Sequence, residues 1–198
     1  MPLPSHGANA HQLYQRLNIP IPEMVIDFSE NVNPLGPPDF VRDQWESYAN
    51  LITKYPDPYG EPFLSAAAMY HGVSLKQILI GNGAAEIFAS IAIRYQHKKV
   101  VIIHPTFSEY EATIRPYGAV IKEIIAISSL PMNEVLSAVE NADVLYICRP
   151  NNPTGYLVPL EEIIQIATAA KRHDCDLVLD EAFLRFYRGT GIFYSVFK

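Results

Sequence analysis

Cysteine is scarce in this chain: Cys148 and Cys175 are its only two, 27 residues apart and each inside an apolar segment. That excludes a disulfide framework, and both thiols are expected to be reduced core residues. Basic residues are few and scattered, 15 Lys and Arg against 21 Asp and Glu, leaving a net charge of −6. Without a run of Lys and Arg, neither nucleic acid nor an anionic membrane surface is an expected partner. A phosphorylated small molecule is not excluded, because local donors decide that. No apolar run approaches the ~18 residues of a membrane span. The opening Met1-Pro2-Leu3-Pro4-Ser5-His6 has neither a charged leader nor an apolar core, so it does not read as a signal peptide. A cytoplasmic location is the expectation. Internal repeats, low-complexity linkers, a Gly-x-Ser-x-Gly elbow and a Gly-Lys-Ser/Thr phosphate loop are also missing. The histidines and cysteines show no metal-ligand spacing, so no metal site is expected.

With 49% apolar and 18% charged residues, the composition is that of a globular protein. Residues 1–38 hold seven of the 16 prolines and read as an arm crossing a surface. A helix is expected over Asp39–Leu51, capped by Asp39, and then a rigid loop at Tyr55-Pro56-Asp57-Pro58-Tyr59-Gly60. Beyond it the pattern alternates: helix Glu61–His71, strand Gln77–Gly81, helix Ala84–Tyr95, strand Val100–His104, helix Ser108–Tyr117 and strand Val120–Ile125. Helix Met132–Asn141, strand Val144–Cys148, helix Leu160–His173 and strand Asp176–Asp180 follow. Short apolar runs without alternation suit a parallel sheet covered on both faces, which predicts a three-layer α/β/α fold.

Chemistry concentrates where predicted strands end. Asp180 closes the apolar run Leu177-Val178-Leu179, at the end of the sheet where ligands bind in open α/β folds. Its carboxylate suits a protonated pyridine nitrogen, although a helix cap or ion pair is the blander reading. Asn152 lies in Asn151-Asn152-Pro153-Thr154-Gly155, a loop that either presents an amide to a ring hydroxyl or is a plain Asn-Pro turn. Gly81-Asn82-Gly83-Ala84-Ala85-Glu86 joins a strand to a helix, where small residues let helix N–H groups approach a phosphate. Phe107 opens the next such junction, either to stack on a ring or to pack in the core. Tyr55 either donates to a phosphate or merely packs.

Together, Asn-Asn-Pro-Thr-Gly and the Leu179-Asp180-Glu181-Ala182-Phe183 that follows it resemble the fold-type I enzymes of pyridoxal 5'-phosphate (PLP), on the histidinol-phosphate aminotransferase branch. Leu3-Pro4-Ser5-His6-Gly7-Ala8-Asn9 and Ile26-Asp27-Phe28-Ser29-Glu30-Asn31-Val32-Asn33-Pro34-Leu35-Gly36 are most similar to the threonine-phosphate decarboxylases of cobalamin biosynthesis. Phe183 agrees, since the aminotransferases usually carry tyrosine there. The resemblance covers residues 3–187. It implies that Asn152 and Asp180 hold the ring oxygen and nitrogen, that Phe107 stacks on the ring, and that Gly83 and Ala84 donate to the cofactor phosphate. It further implies a homodimer in which Tyr55 reaches the neighbouring subunit's cofactor, with His6, Gly7 and Asn33 over a phosphorylated amino-acid substrate. The implied organisation is an arm over 1–38 and a partial cofactor-binding large domain over 39–198. The implied reaction is decarboxylation of L-threonine O-3-phosphate to (R)-1-amino-2-propanol O-2-phosphate.

The family's Ser-x-x-Lys segment, which supplies the Schiff-base lysine, and its substrate-gripping arginines have no match in the 198 residues. The tail from Tyr187 to Lys198 reads unlike the family, as after a frameshift or premature stop, and the chain alone is expected to be inactive. In this fold two further strands insert between the strand before Gly81 and the strand ending at Asp180. Their absence is expected to leave Asp176–Asp180 with an unpaired apolar edge.

Overall fold

Strands form where aliphatic residues run together, and helices where apolar positions recur every third or fourth residue. The computed structural model describes Gly7 and residues 9–187. The chain divides between Phe63 and Leu64 into two units. The first contains α1 (Ala10–Leu17), α2 (Asp39–Asp43) and α3 (Trp45–Ala49). None of its described residues is buried. The single helix expected over Asp39–Leu51 breaks at Gln44, because neither half buries a residue that would hold them as one rod. Asp39 does not cap it. It is the first helical residue, and its carboxylate pairs with Arg42.

α4 (Phe63–His71) begins at the division, and α5 (Gly83–Arg94) follows in the second unit. Next come β1 (Lys99–His104), α6 (Glu109–Ile114), β2 (Val120–Ile125) and α7 (Met132–Val139). β3 (Val144–Cys148), α8 (Leu160–Arg172) and β4 (Asp176–Asp180) complete the order. The strands form one parallel sheet in the order β2-β1-β3-β4. Strand alternation sorts the core into two layers. Val101, Ile103, Leu145 and Ile147 pack with Val135, Val139, Ile163 and Ile166 of α7 and α8. Val100, Ile102, Val144 and Tyr146 pack on the other face with Phe88 and Ala92 of α5 and Tyr110 and Ile114 of α6. This is the expected α/β/α sandwich, with β3 buried along its whole length. Both cysteines are buried and free. No described helix is long and apolar enough to cross a membrane.

Two further expectations need correction. The helix predicted over Ser108–Tyr117 stops at Ile114 and tightens into a single turn over Arg115–Tyr117. Pro116 has no N–H to continue the ladder, and Gly118 ends the turn at φ +72°. The strand predicted over Gln77–Gly81 does not form. Leu75–Gln77 is a tight turn capped reciprocally by Ser74 and Gln77. Ile78 is extended at φ −115° and ψ 131°, but no described strand takes up the backbone groups of the segment it begins. β4 likewise pairs only with β3, so among the described residues its outer edge is open where the sequence reading placed the gap.

Candidate cofactor site

The loops that leave the carboxyl ends of β1, β3 and β4 meet, and the register explains why. Cys148 pairs with Asp180, and the Arg149 N–H donates to the Asp180 carbonyl at 2.8 Å. The loop after β3 therefore starts beside the end of β4. Asp180 Oδ1 accepts the Ala182 N–H at 2.9 Å, and Oδ2 accepts the Tyr110 hydroxyl at 2.6 Å. A carboxylate offers about four lone-pair sites, so Asp180 can still accept a bond from a ring N–H. Tyr110 is buried, and burial, with the Asp180 contact second, pushes its hydroxyl above the ordinary tyrosine range. It therefore remains a donor to Asp180.

In the loop after β3, Asn151 is the structural member. Its N–H donates to the Tyr156 carbonyl at 2.8 Å, and its carbonyl accepts the Gly155 N–H at 2.7 Å. Gly155 makes that turn at φ +72°. The Asn151 side-chain amide donates to the Pro105 carbonyl and to Thr154 Oγ1, both at 2.8 Å, and its oxygen accepts from Thr106 Oγ1 at 3.1 Å. The loop that carries Phe107 is thereby fastened to the one that carries Asn152. The half-buried Asn152 side chain has no hydrogen-bond partner among the described residues. Arg149 is 2% exposed. Its Nε donates to the Val158 carbonyl at 2.7 Å and a terminal nitrogen reaches Glu181 Oε1 at 3.3 Å. Burial pushes Glu181 above the usual carboxylate range while Arg149 pulls it back.

The start of α5 completes the corner. Gly83 has φ +77°, and no atom lies within 4 Å of where a Cβ would sit. Asn82 supplies no side-chain cap, so the first-turn N–H groups at Ala84 and Ala85 are left for another acceptor. One turn on, Phe88 lies 5.0 Å from Tyr110 and 6.2 Å from Phe107, which ties the helix start to the ring side of the site. The second unit carries Gly83, Ala84, Phe107, Asn152 and Asp180: the loops of Phe107 and Asn152 are joined through Asn151, Asp180 lies beside the start of the latter, and Gly83 and Ala84 open the helix whose Phe88 meets Phe107. Tyr55, Gly7 and Asn33 belong to the first unit. Tyr55 is fully exposed, Gly7 runs against the Ser29 backbone, and Asn33 closes a turn with Gly36. His6 and the tail beyond Tyr187 lie outside the described residues. Sequence reasoning missed Tyr110, Asn151 and Arg149. Asn151 stood inside the Asn-Asn-Pro-Thr-Gly motif without a role of its own, and Tyr110 lies three residues after Phe107.

These groups fit PLP: two helix-start N–H donors for a phosphate, a free amide donor for a ring oxygen, and a carboxylate acceptor for a ring N–H. Residues 23–198 match the family model for aminotransferase class I and II. The chain belongs to that family. Its members are PLP enzymes. The chain is 32% identical over 187 residues to the threonine-phosphate decarboxylase of Salmonella typhimurium, covering 92% of this chain and 51% of that protein. The L-threonine-O-3-phosphate decarboxylase structure from Porphyromonas gingivalis superposes with a TM-score of 0.66 at 27% identity, over 76% of this chain and 47% of that one. A histidinol-phosphate aminotransferase from Sinorhizobium meliloti, solved with pyridoxal-5'-phosphate, shares the fold with a TM-score of 0.76 at 24% identity, over 93% and 49% of the two chains. The chain thus spans about half the length of the family members it matches.

Proposed function

We propose that this chain forms the cofactor-holding part of a PLP-dependent threonine-phosphate decarboxylase, a cytoplasmic homodimer. The observation that carries the reading is the free Asn152 amide on the loop that starts beside the Asp180 carboxylate. A PLP held there would supply an electron sink for loss of a carboxylate from Cα. Asp180 keeps the proton on the ring nitrogen, and Tyr110 holds the carboxylate in place. Asn152 donates to the ring oxygen, Phe107 covers one ring face, and the N–H groups at Ala84 and Ala85 take the phosphate, because the Gly83 N–H expected to share it with Ala84 already donates to the Gly81 carbonyl at 2.9 Å. Tyr55 would reach the cofactor phosphate of the partner subunit, as the resemblance implies. The cofactor-anchoring lysine is not among these residues. The Salmonella relative supports decarboxylation of L-threonine O-3-phosphate, as does Phe183, which has no hydroxyl to offer the ring.

The second reading is a histidinol-phosphate aminotransferase. It is supported by a Methanosphaera stadtmanae relative of that name, 31% identical over 173 residues. A third is a binding module that holds PLP without turnover. The test assays the chain alone and mixed with the C-terminal half of the Salmonella relative. Carbon dioxide release from L-threonine O-3-phosphate in the mixture supports the decarboxylase. Amino transfer from histidinol phosphate to 2-oxoglutarate supports the second reading, and PLP binding with neither activity supports the third.

A further inference from the structure

A second cluster lies at the end of β1 and owes nothing to the cofactor reading. His104 is the last residue of β1, Glu111 lies in the first turn of α6, and Glu123 stands in β2 opposite Ile102. One ligand-type atom from each, an imidazole nitrogen and two carboxylate oxygens, lies within 4.8 Å of both others. His104 Nε2 is buried and has no hydrogen-bond partner. Glu111 Oε2 is 3.6 Å from it, too far for a hydrogen bond. The separation is close to that of two ligands on one ion, since donors about 2.0–2.1 Å from a tetrahedral zinc sit roughly 3.3 Å apart. A plain ion pair would close the gap to a hydrogen bond and have no use for Glu123.

The charges agree. Arg115 engages Oε1 of Glu111 and leaves free Oε2, the oxygen paired with His104. Its charge also acts on Glu123. Two carboxylates against one guanidinium leave a net negative charge beside a nitrogen lone pair, which suits a divalent cation. Mixed imidazole and carboxylate ligation points to a transition metal rather than to calcium or magnesium.

We propose that His104, Glu111 and Glu123 bind one divalent transition-metal ion of the zinc class, through His104 Nε2 and an oxygen of each carboxylate. A fourth position is left to water. The ion fastens the end of β1 to α6 and β2, just before the loop that carries Phe107. The expectation of no metal site rested on the spacing of histidines and cysteines, which cannot show carboxylates brought in by a helix and a neighbouring strand.

The test titrates zinc, against a chromophoric chelator, into the whole metal-free chain and into the variants E123Q, H104Q and H173Q. Glu123 is exposed, so E123Q keeps the fold, and circular dichroism checks this. The expected result is one equivalent of zinc per chain. E123Q and H104Q should each lower its affinity by at least about tenfold, the size of effect that even outer partners of a ligand have. H173Q should leave it unchanged. Absence of a saturable equivalent overturns the proposal, and so does affinity that survives E123Q or a folded H104Q. Should H104Q not fold, E123Q alone decides.

Discussion

Asp180 stands already oriented at the carboxyl end of β4. Ala182 and Tyr110 each donate to one of its oxygens, at 2.9 Å and 2.6 Å, and Tyr110 is locked among Phe88, Phe107 and Tyr146. Y110F removes one donor to a charged acceptor and should cost about 2 kcal/mol of stability, read as a lower urea midpoint. Asp143 works at the opposite end of the sheet. Its Oδ2 accepts the Lys99 N–H at 2.8 Å, and that bond, with Lys98 beside it, holds the carboxyl below its ordinary value. A carboxylate depressed in the folded state contributes stability that is complete above its unfolded value. The contribution is lost as pH falls through the lowered one. Denaturation of D143N followed between about pH 5 and pH 2 should therefore show a flatter acid limb than wild type.

Between elements, the Arg149–Glu181 pair links β3, the loop up to Val158 and the turn after β4. Its side chains are 3% and 18% exposed. R149M strands Glu181 without its counter-charge and should cost about 3–5 kcal/mol, whereas R149M/E181L should recover most of that loss. Chemical denaturation of the two variants checks this. Legibility in the sequence divides at the same scale. β1, β3 and β4 were readable because each centres on a short apolar run, and Asn152 and Asp180 because their motifs follow two of those runs. Residues 77–81 read equally well as a strand, yet pairing is not a local property and no described neighbour supplies it. Arg149 was invisible because its partner lies 32 residues away, and Tyr110 because it looks like any core aromatic on a short helix.

For the whole molecule, β4 is the decisive edge. It presents Leu177, Val178 and Leu179 between two aspartates, with no strand beyond it among the described residues. Open apolar edges template association. The isolated chain is therefore predicted to gain light scattering with concentration and on heating. A sharp, reversible, monomeric thermal transition would count against an open sheet. The second unit is proposed to hold PLP between the start of α5 and the ends of β3 and β4. Equilibrium dialysis of PLP against the chain and against N152A and D180N tests it most directly. N152A is the cleanest probe, because the Asn152 amide bonds to no described residue and its loss should leave stability unchanged. One saturable equivalent is expected on the wild-type chain, weakened about tenfold by each substitution, the worth of one hydrogen bond. Unsaturable binding, or a single site indifferent to both substitutions, would contradict it.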